Sequence, residues 1–126
     1  MIDHLDHIVL TTRDKPRCIA FYVELLGMQL VTFAEGRIAF TFGSQKINLH
    51  ESGKEFLPKA QYPTPGSLDL CFIASVPLDA VIAKLNVKQW PIEEGPVMRT
   101  GAVSGLRSIY LRDPDQNLIE ISERVS

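Results

Sequence analysis

Residues 106–123, LRSIYLRDPDQNLIEISE, decide how the chain reads. Ile109 and Leu111 alternate with Ser108 and Tyr110, the run breaks over Asp113-Pro114-Asp115-Gln116-Asn117, and alternation resumes from Leu118 to Ser122. Successive side chains of a strand point to opposite faces. The pattern therefore predicts a β-hairpin with Ile119 and Ile121 on one face and Leu118, Glu120 and Ser122 on the other. Glu120 stands mid-strand, away from the isoleucines. Alone, it would read as a solvated glutamate on an edge strand. A similar arrangement earlier in the chain gives it weight.

Working upstream, residues 98–105 hold Gly and Ser and read as a loop, preceded by a strand over Trp90–Val97. Pro77 opens a helix with Leu78, Val81, Ile82 and Leu85 along one face and Asn86 able to end it, and Ser67–Ala74 is strand-like. The first half repeats this order. Leu5–Thr12 alternates, Asp14 and Pro16 make a helix start, and Ile19, Tyr22, Val23 and Leu26 follow at helical spacing before Gly27. Three short strands come next: Met28–Phe33, Arg37–Phe42 across an Ala-Glu-Gly turn, and Lys46–Glu51. Residues 52–66, with Gly53, Pro58, Pro63, Pro65 and Gly66, form a connector. The expectation is an α+β fold of two βαβββ modules, 1–52 and 67–126, in a single domain over residues 1–126. One module alone is too small to bury its own sheet face.

A chain of 126 residues suits one domain. A formal charge of −2 with no basic run gives no reason to expect nucleic acid or an acidic membrane as partner. No apolar stretch reaches spanning length, and the start MIDHLDHIVL lacks a signal peptide's layout. Cys18 and Cys71 are isolated, without zinc-type spacing, as expected of reduced thiols in a cytoplasmic protein.

Aligning the halves by their aliphatic faces sets Ile8 and Leu10 against Leu70 and Phe72, and Ile47 and Leu49 against Ile119 and Ile121. His7 then matches Asp69, and Asn48 matches Glu120. All four lie on the face opposite the aliphatic one, and facing modules would enclose a cup lined by them. His50 lies on the Asn48 face, about 7 Å further along its strand. One imidazole, two carboxylates and a carboxamide suit a divalent nickel, cobalt, manganese, iron or zinc ion. His4 falls outside the pattern and reads as surface.

The His7 strand, FYVELLGM at 21–28 and DPDQNLIEI at 113–121 together resemble the vicinal oxygen chelate superfamily: glyoxalase I, fosfomycin- and bleomycin-resistance proteins, methylmalonyl-CoA epimerase and extradiol dioxygenases. The resemblance spans the chain. QKINLHESGKEFLPKA, PTPGSLDLCFI and IEEGPVMRTGA look closest to the glyoxalase domain-containing protein 5 branch and to bacterial virulence-associated glyoxalase-like proteins. It implies paired βαβββ modules around a metal-holding cup. His7 and Glu120 match the usual ligands of the first and eighth strands. Asp69 stands where the family has His, and Asn48, with His50 nearby, where it has Glu, Gln or His. Ser108 and Tyr110 match positions that bind an anionic substrate in the fosfomycin-resistance branch. Gln116 replaces the usual turn glycine; if its φ is positive, strain of about 1 kcal/mol is implied.

The resemblance further implies a glyoxalase-type reaction on the hemithioacetal of an α-ketoaldehyde and a thiol such as glutathione. A carboxylate takes the proton beside the carbonyl while the metal holds the enediolate. Glu120 is the first candidate base and Asp69 the second. Arg99 and Arg107 flank a loop, 98–105, able to close over a ligand, and suit its carboxylate or phosphonate groups. A different reading is a metal-free module that sequesters a small molecule, lined by Trp90, Phe40, Phe42 and Tyr110. An extradiol dioxygenase would need His7, His50 and Glu120 around ferrous iron. A homodimer is expected.

Overall fold

The computed structural model describes residues 1–125. They divide into two compact units, Met1–Ser67 and a second beginning at Leu68. In the first, strands β1 (His7–Thr12), β2 (Gln29–Phe33), β3 (Arg37–Phe42) and β4 (Gln45–Glu51) form a four-stranded sheet in the order β1-β4-β3-β2. In the second, β5 (Asp69–Ile73), β6 (Glu94–Thr100), β7 (Gly105–Arg112) and β8 (Leu118–Val125) form a sheet in the order β5-β8-β7-β6. First and last strands pair in parallel in both units, and the others are antiparallel. A parallel pair needs a crossover, and in each unit the crossover includes the helix. The α+β class and the repeated βαβββ order are therefore as expected.

Asp14 caps helix α1 (Lys15–Ile19), its Oδ1 accepting from the Arg17 N–H at 3.1 Å, with Pro16 in the first turn. The single helix expected up to Leu26 is two pieces. Ala20–Leu25 is a π-helix, in which the Leu26 N–H reaches the Phe21 carbonyl at 3.0 Å. In this wider register Phe21, Tyr22 and Leu25 are all buried, and Tyr22 stacks on Phe40 at 5.3 Å between ring centroids. Leu10, Ile38, Phe40, Ile47 and Leu49 make the apolar face of this sheet. Each such side chain contributes about 1.5–3 kcal/mol on burial.

In the second unit Leu78 and Leu85 of helix α2 (Leu78–Val87) are buried, as are Ile109, Leu111, Ile119 and Ile121. The Glu123 carboxylate accepts from the Leu78 N–H at 2.7 Å, placing a negative charge at the helix N-terminus. The helix outruns Asn86, and Gln89 takes the left-handed conformation, φ 57°. The strand expected over 90–97 and the loop expected over 98–105 are displaced. Strand β6 runs to Thr100, paired regularly with β7 from Val97 onward, and a bulge between Glu94 and Val97 shifts that pairing by one residue. Gly95 sits in that bulge at φ 108°, and a Cβ there would lie 2.5 Å from the Ser108 carbonyl oxygen. No described helix is long and apolar enough to cross a membrane.

Candidate functional site

Register decides which side chains meet. In the first unit His7 lies opposite Lys46, Val9 opposite Asn48, and Thr11 opposite His50. His7 and Asn48 are thus diagonal neighbours on one face. In the second unit Asp69 lies opposite Leu118 and Cys71 opposite Glu120, so Asp69 and Glu120 are diagonal neighbours in the same way. Diagonal neighbours across paired strands remain within reach of long side chains. Each sheet carries one pair at equivalent places, on the face away from its apolar side chains. No three or more His, Cys, Asp and Glu side chains are grouped to hold a metal ion among the described residues.

The His7 ring Nδ1 lies 2.8 Å from Asp6 Oδ2. A carboxylate only accepts, so Nδ1 carries the hydrogen and Nε2 keeps an open lone pair, the orientation a metal-binding histidine adopts. The same contact is the first cause holding the Asp6 carboxyl below its ordinary range. Asn48 is 7% exposed, and its Oδ1 has no hydrogen-bond partner. An orphaned acceptor oxygen suits a cation or an incoming donor.

His50 does not fit a metal. It is 2% exposed, and its Nε2 lies 3.5 Å from an Arg37 guanidinium nitrogen. Guanidinium only donates, so Nε2 accepts, Nδ1 holds the hydrogen, and no lone pair is left over. Nδ1 has no partner in turn. Burial first, then the Arg37 charge, keeps this imidazole below its ordinary pKa, with Glu55 opposing. A His7, His50 and Glu120 iron set loses its second histidine by the same geometry.

Around Glu120 the polar groups are already joined. The Ser122 hydroxyl donates to Glu120 Oε2 at 3.3 Å, Ser108 Oγ lies 2.6 Å from Ser122 Oγ, and Cys71 Sγ lies 3.4 Å from it. With Ser122 giving its hydrogen to the carboxylate, Ser108 donates to Ser122. Cys71 and Ser122 were missed by sequence reasoning; pairing Cys71 against Glu120 was the signal that would have found them. Tyr110 lies opposite Glu120, and its hydroxyl accepts from Arg99 Nε at 3.0 Å. Arg99 shares this face, but one of its nitrogens also lies 3.4 Å from Glu94.

Arg107 lies elsewhere. Its position is one residue off that of Ser108, so it emerges on the helix side. There it bonds Asp79 at 2.9 Å and Glu123 at 3.2 Å, and the Asp79 contact foremost raises its pKa. It ties the sheet to α2 and faces no ligand. The closing loop shrinks correspondingly to a turn at 101–104, where the Gly101 N–H donates to the Ser104 carbonyl at 2.8 Å. Of the aromatics expected in a sequestering pocket, Phe40 is fully buried under Tyr22, Phe42 shares its face, and the Trp90 indole donates to the Arg112 carbonyl at 3.0 Å. Only Tyr110 stands on the polar face.

The turn at 113–117 holds the strands in place. Asp113 Oδ1 accepts from the Asp115 and Asn117 N–H groups at 2.9 and 3.0 Å, and Asn117 Nδ2 donates to Asp113 Oδ2 at 2.7 Å. Asn117 Oδ1 then accepts from the Leu68 N–H at 2.9 Å, fixing the entry to β5 and with it Asp69 against β8. Gln116 adopts φ 73°, the strained conformation its sequence position implied.

Comparison with known proteins agrees with this architecture. Virulence protein STM3117 of Salmonella typhimurium is 54% identical over 125 residues, 99% of this chain and 87% of that protein. Its crystal structure superposes with a TM-score of 0.97, covering 99% of both chains. Glyoxalase domain-containing protein RDO1 of Mycosarcoma maydis is 53% identical over 118 residues, 94% of this chain and 66% of that one. Lactoylglutathione lyase from Agrobacterium tumefaciens shares the fold at a TM-score of 0.75 and 23% identity, over 98% of this chain and 95% of its own. The family description "Glyoxalase/Bleomycin resistance protein/Dioxygenase superfamily" matches residues 4–121, and the chain belongs to that superfamily.

Proposed function

We propose that this protein is a metal-dependent enzyme of glyoxalase type, acting on the hemithioacetal of an α-ketoaldehyde and a thiol. Each unit offers its own candidate metal donors, His7 and Asn48 in the first and Asp69 and Glu120 in the second. The observation that carries this reading is the matched register: each sheet offers one pair of nitrogen or oxygen donors at the same diagonal of its parallel strands. The open Nε2 of His7 and the orphaned Oδ1 of Asn48 fit a borderline-to-hard divalent ion such as nickel, cobalt, zinc, manganese or iron. When bound, such an ion supplies electrostatic stabilisation to a developing oxyanion.

The chain's own residues do the rest. Glu120 takes the proton from the carbon bearing sulfur and hydroxyl and returns it to the former carbonyl carbon, leaving a 2-hydroxy thioester. Ser122, backed by Ser108, holds the carboxylate's orientation through Oε2. Tyr110, steadied by Arg99, offers a hydroxyl beside the base. The two cysteines, isolated in the sequence, suit a reducing, cytoplasmic setting, and a homodimer is part of the proposal, checked by solution mass.

The test is metal analysis of purified protein, followed by turnover of methylglyoxal with glutathione. About one equivalent of metal and thioester formation, both lost in Glu120→Ala, support the reading. Protein without metal that binds a ligand and does not turn it over replaces it with sequestration, and oxygen uptake on a catechol replaces it with ring cleavage.

A further inference from the structure

Arg37 is held differently from three arginines of the second sheet. Arg99, Arg107 and Arg112 each lie within 3.4 Å of a carboxylate oxygen. Arg37 has no carboxylate at ion-pair distance among the described residues. It is fixed instead by aromatic rings: its guanidinium carbon lies 5.2 Å from the Phe33 centroid and 4.5 Å from the Phe56 centroid. One of its nitrogens meets His50 Nε2. A guanidinium is weakly hydrated on its two faces and donates only in its plane. Rings against the group leave the in-plane N–H groups to recruit a partner, and their apolar surface strengthens any ion pair formed there. On the same face, Lys46 places its Nζ 4.1 Å from the Phe33 centroid, adding a second positive charge. Two buried groups beside them also lack a partner, His50 Nδ1 and Asn48 Oδ1.

We propose that Arg37 is the anchor of a carboxylate-binding subsite on the polar face of the first sheet. A planar carboxylate takes two parallel in-plane N–H groups of Arg37, and Lys46 contributes its field. The body of the ligand lies against Phe33 and Phe56, and its uncharged polar atoms meet His50 Nδ1–H and Asn48. The anchor, Arg37, is neither a candidate metal donor nor the base, and the subsite needs neither Glu120 nor turnover, although it borders the proposed metal donor Asn48.

Benzoate, its uncharged isostere benzamide, and inorganic phosphate serve as probes, titrated with chelator present and followed by ¹⁵N–¹H NMR of the Arg37 Nε–H and the β3 and β4 amides. Saturable benzoate shifts centred on Arg37 are expected, weakened about tenfold or more in Arg37→Gln and restored in part by Arg37→Lys. Benzamide should leave these signals in place. Benzoate binding that is unchanged in Arg37→Gln, or equalled by benzamide, overturns the proposal, and so does phosphate binding without benzoate binding. Spectra of the free variants check that both fold, and Arg37→Lys carries the test where Arg37→Gln does not. Titrating the unmutated protein and Glu120→Gln separates the two readings: benzoate shifts in an unmutated protein that neither holds metal nor turns over sink the enzyme reading alone, and shifts that vanish in Glu120→Gln sink the subsite's independence of the base.

Discussion

The two sheets share strand order, register and crossover, yet their polar faces are filled in opposite ways. On the second, Ser108, Ser122, Cys71 and Glu120 satisfy one another in a short chain of hydrogen bonds. On the first, Asn48 Oδ1 and His50 Nδ1 are buried with no partner among the described residues, and Arg37 is wedged among rings with no described carboxylate at ion-pair distance. A duplicated scaffold fixes where side chains sit; what fills those places sets their role. A satisfied network holds a reactive group still, whereas unsatisfied groups wait for something to arrive.

If that division holds, damage to the hydrogen-bonded group around Glu120 costs rate and damage around Arg37 costs binding. The largest effect expected is from Glu120→Ala, which should lower kcat by about 10²–10⁴-fold, the usual worth of a general base. Arg37→Gln should instead raise KM for a carboxylated substrate and leave kcat nearly intact. Steady-state kinetics on both variants checks this, and a fall in kcat for Arg37→Gln would erase the contrast.

Next in size is a backbone effect confined to the second sheet. Gly95→Ala puts a methyl 2.5 Å from the Ser108 carbonyl at positive φ. The bulge must open, costing more than about 2 kcal/mol. Urea unfolding would show it as a lower midpoint, and an unshifted midpoint would mean the bulge yields freely.

A sign difference comes third. Asn48→Leu removes an orphaned acceptor and should stabilise by up to about 1 kcal/mol, while Ser122→Ala strands its partners and should destabilise by about 1–2 kcal/mol. Equal signs would mean that Asn48 is satisfied by something such as bound water.

The sequence carried the fold well because it rests on period-two alternation and on turn residues that leave few choices. Ile8 and Leu10 against Leu70 and Phe72 set a register that the strand pairing reproduces for His7 and Asp69. Where it failed, a single irregularity was to blame. The bulge at Gly95 shifts the pairing of β6 with β7 by one residue, and the strand continues to Thr100 through most of the expected closing loop. Arg107 was placed near a ligand from its neighbourhood in the chain, although its parity against Ser108 already assigned it to the helix side. The π-helical turn left no periodic signal, and the loneliness of Arg37 is a property of what surrounds it. No spacing rule reveals that.

The smallest effect lies in pH, and it splits the sheets again. Burial and Arg37 depress His50, so the folded state gives up its proton more readily than the unfolded chain does. The unfolded chain therefore binds more protons in mild acid, and stability rises with pH. The contribution is full above the ordinary histidine value of about 6.5. It declines as pH falls below that value and stops declining once the folded pKa is passed. Cys71 behaves in the reverse sense. Partial burial of its thiol, opposed by the Ser122 hydrogen bond and reinforced by Glu120, raises its pKa, so the protonated thiol is favoured in the fold. That contribution is full below the ordinary thiol value of about 8.5 and is lost as pH climbs through the folded one. Urea midpoints across pH should show His50→Phe flattening the acid limb only and Cys71→Ala the alkaline limb only. If either variant flattened both limbs, the two faces would not titrate independently, and the contrast between them would fail at its electrostatic root.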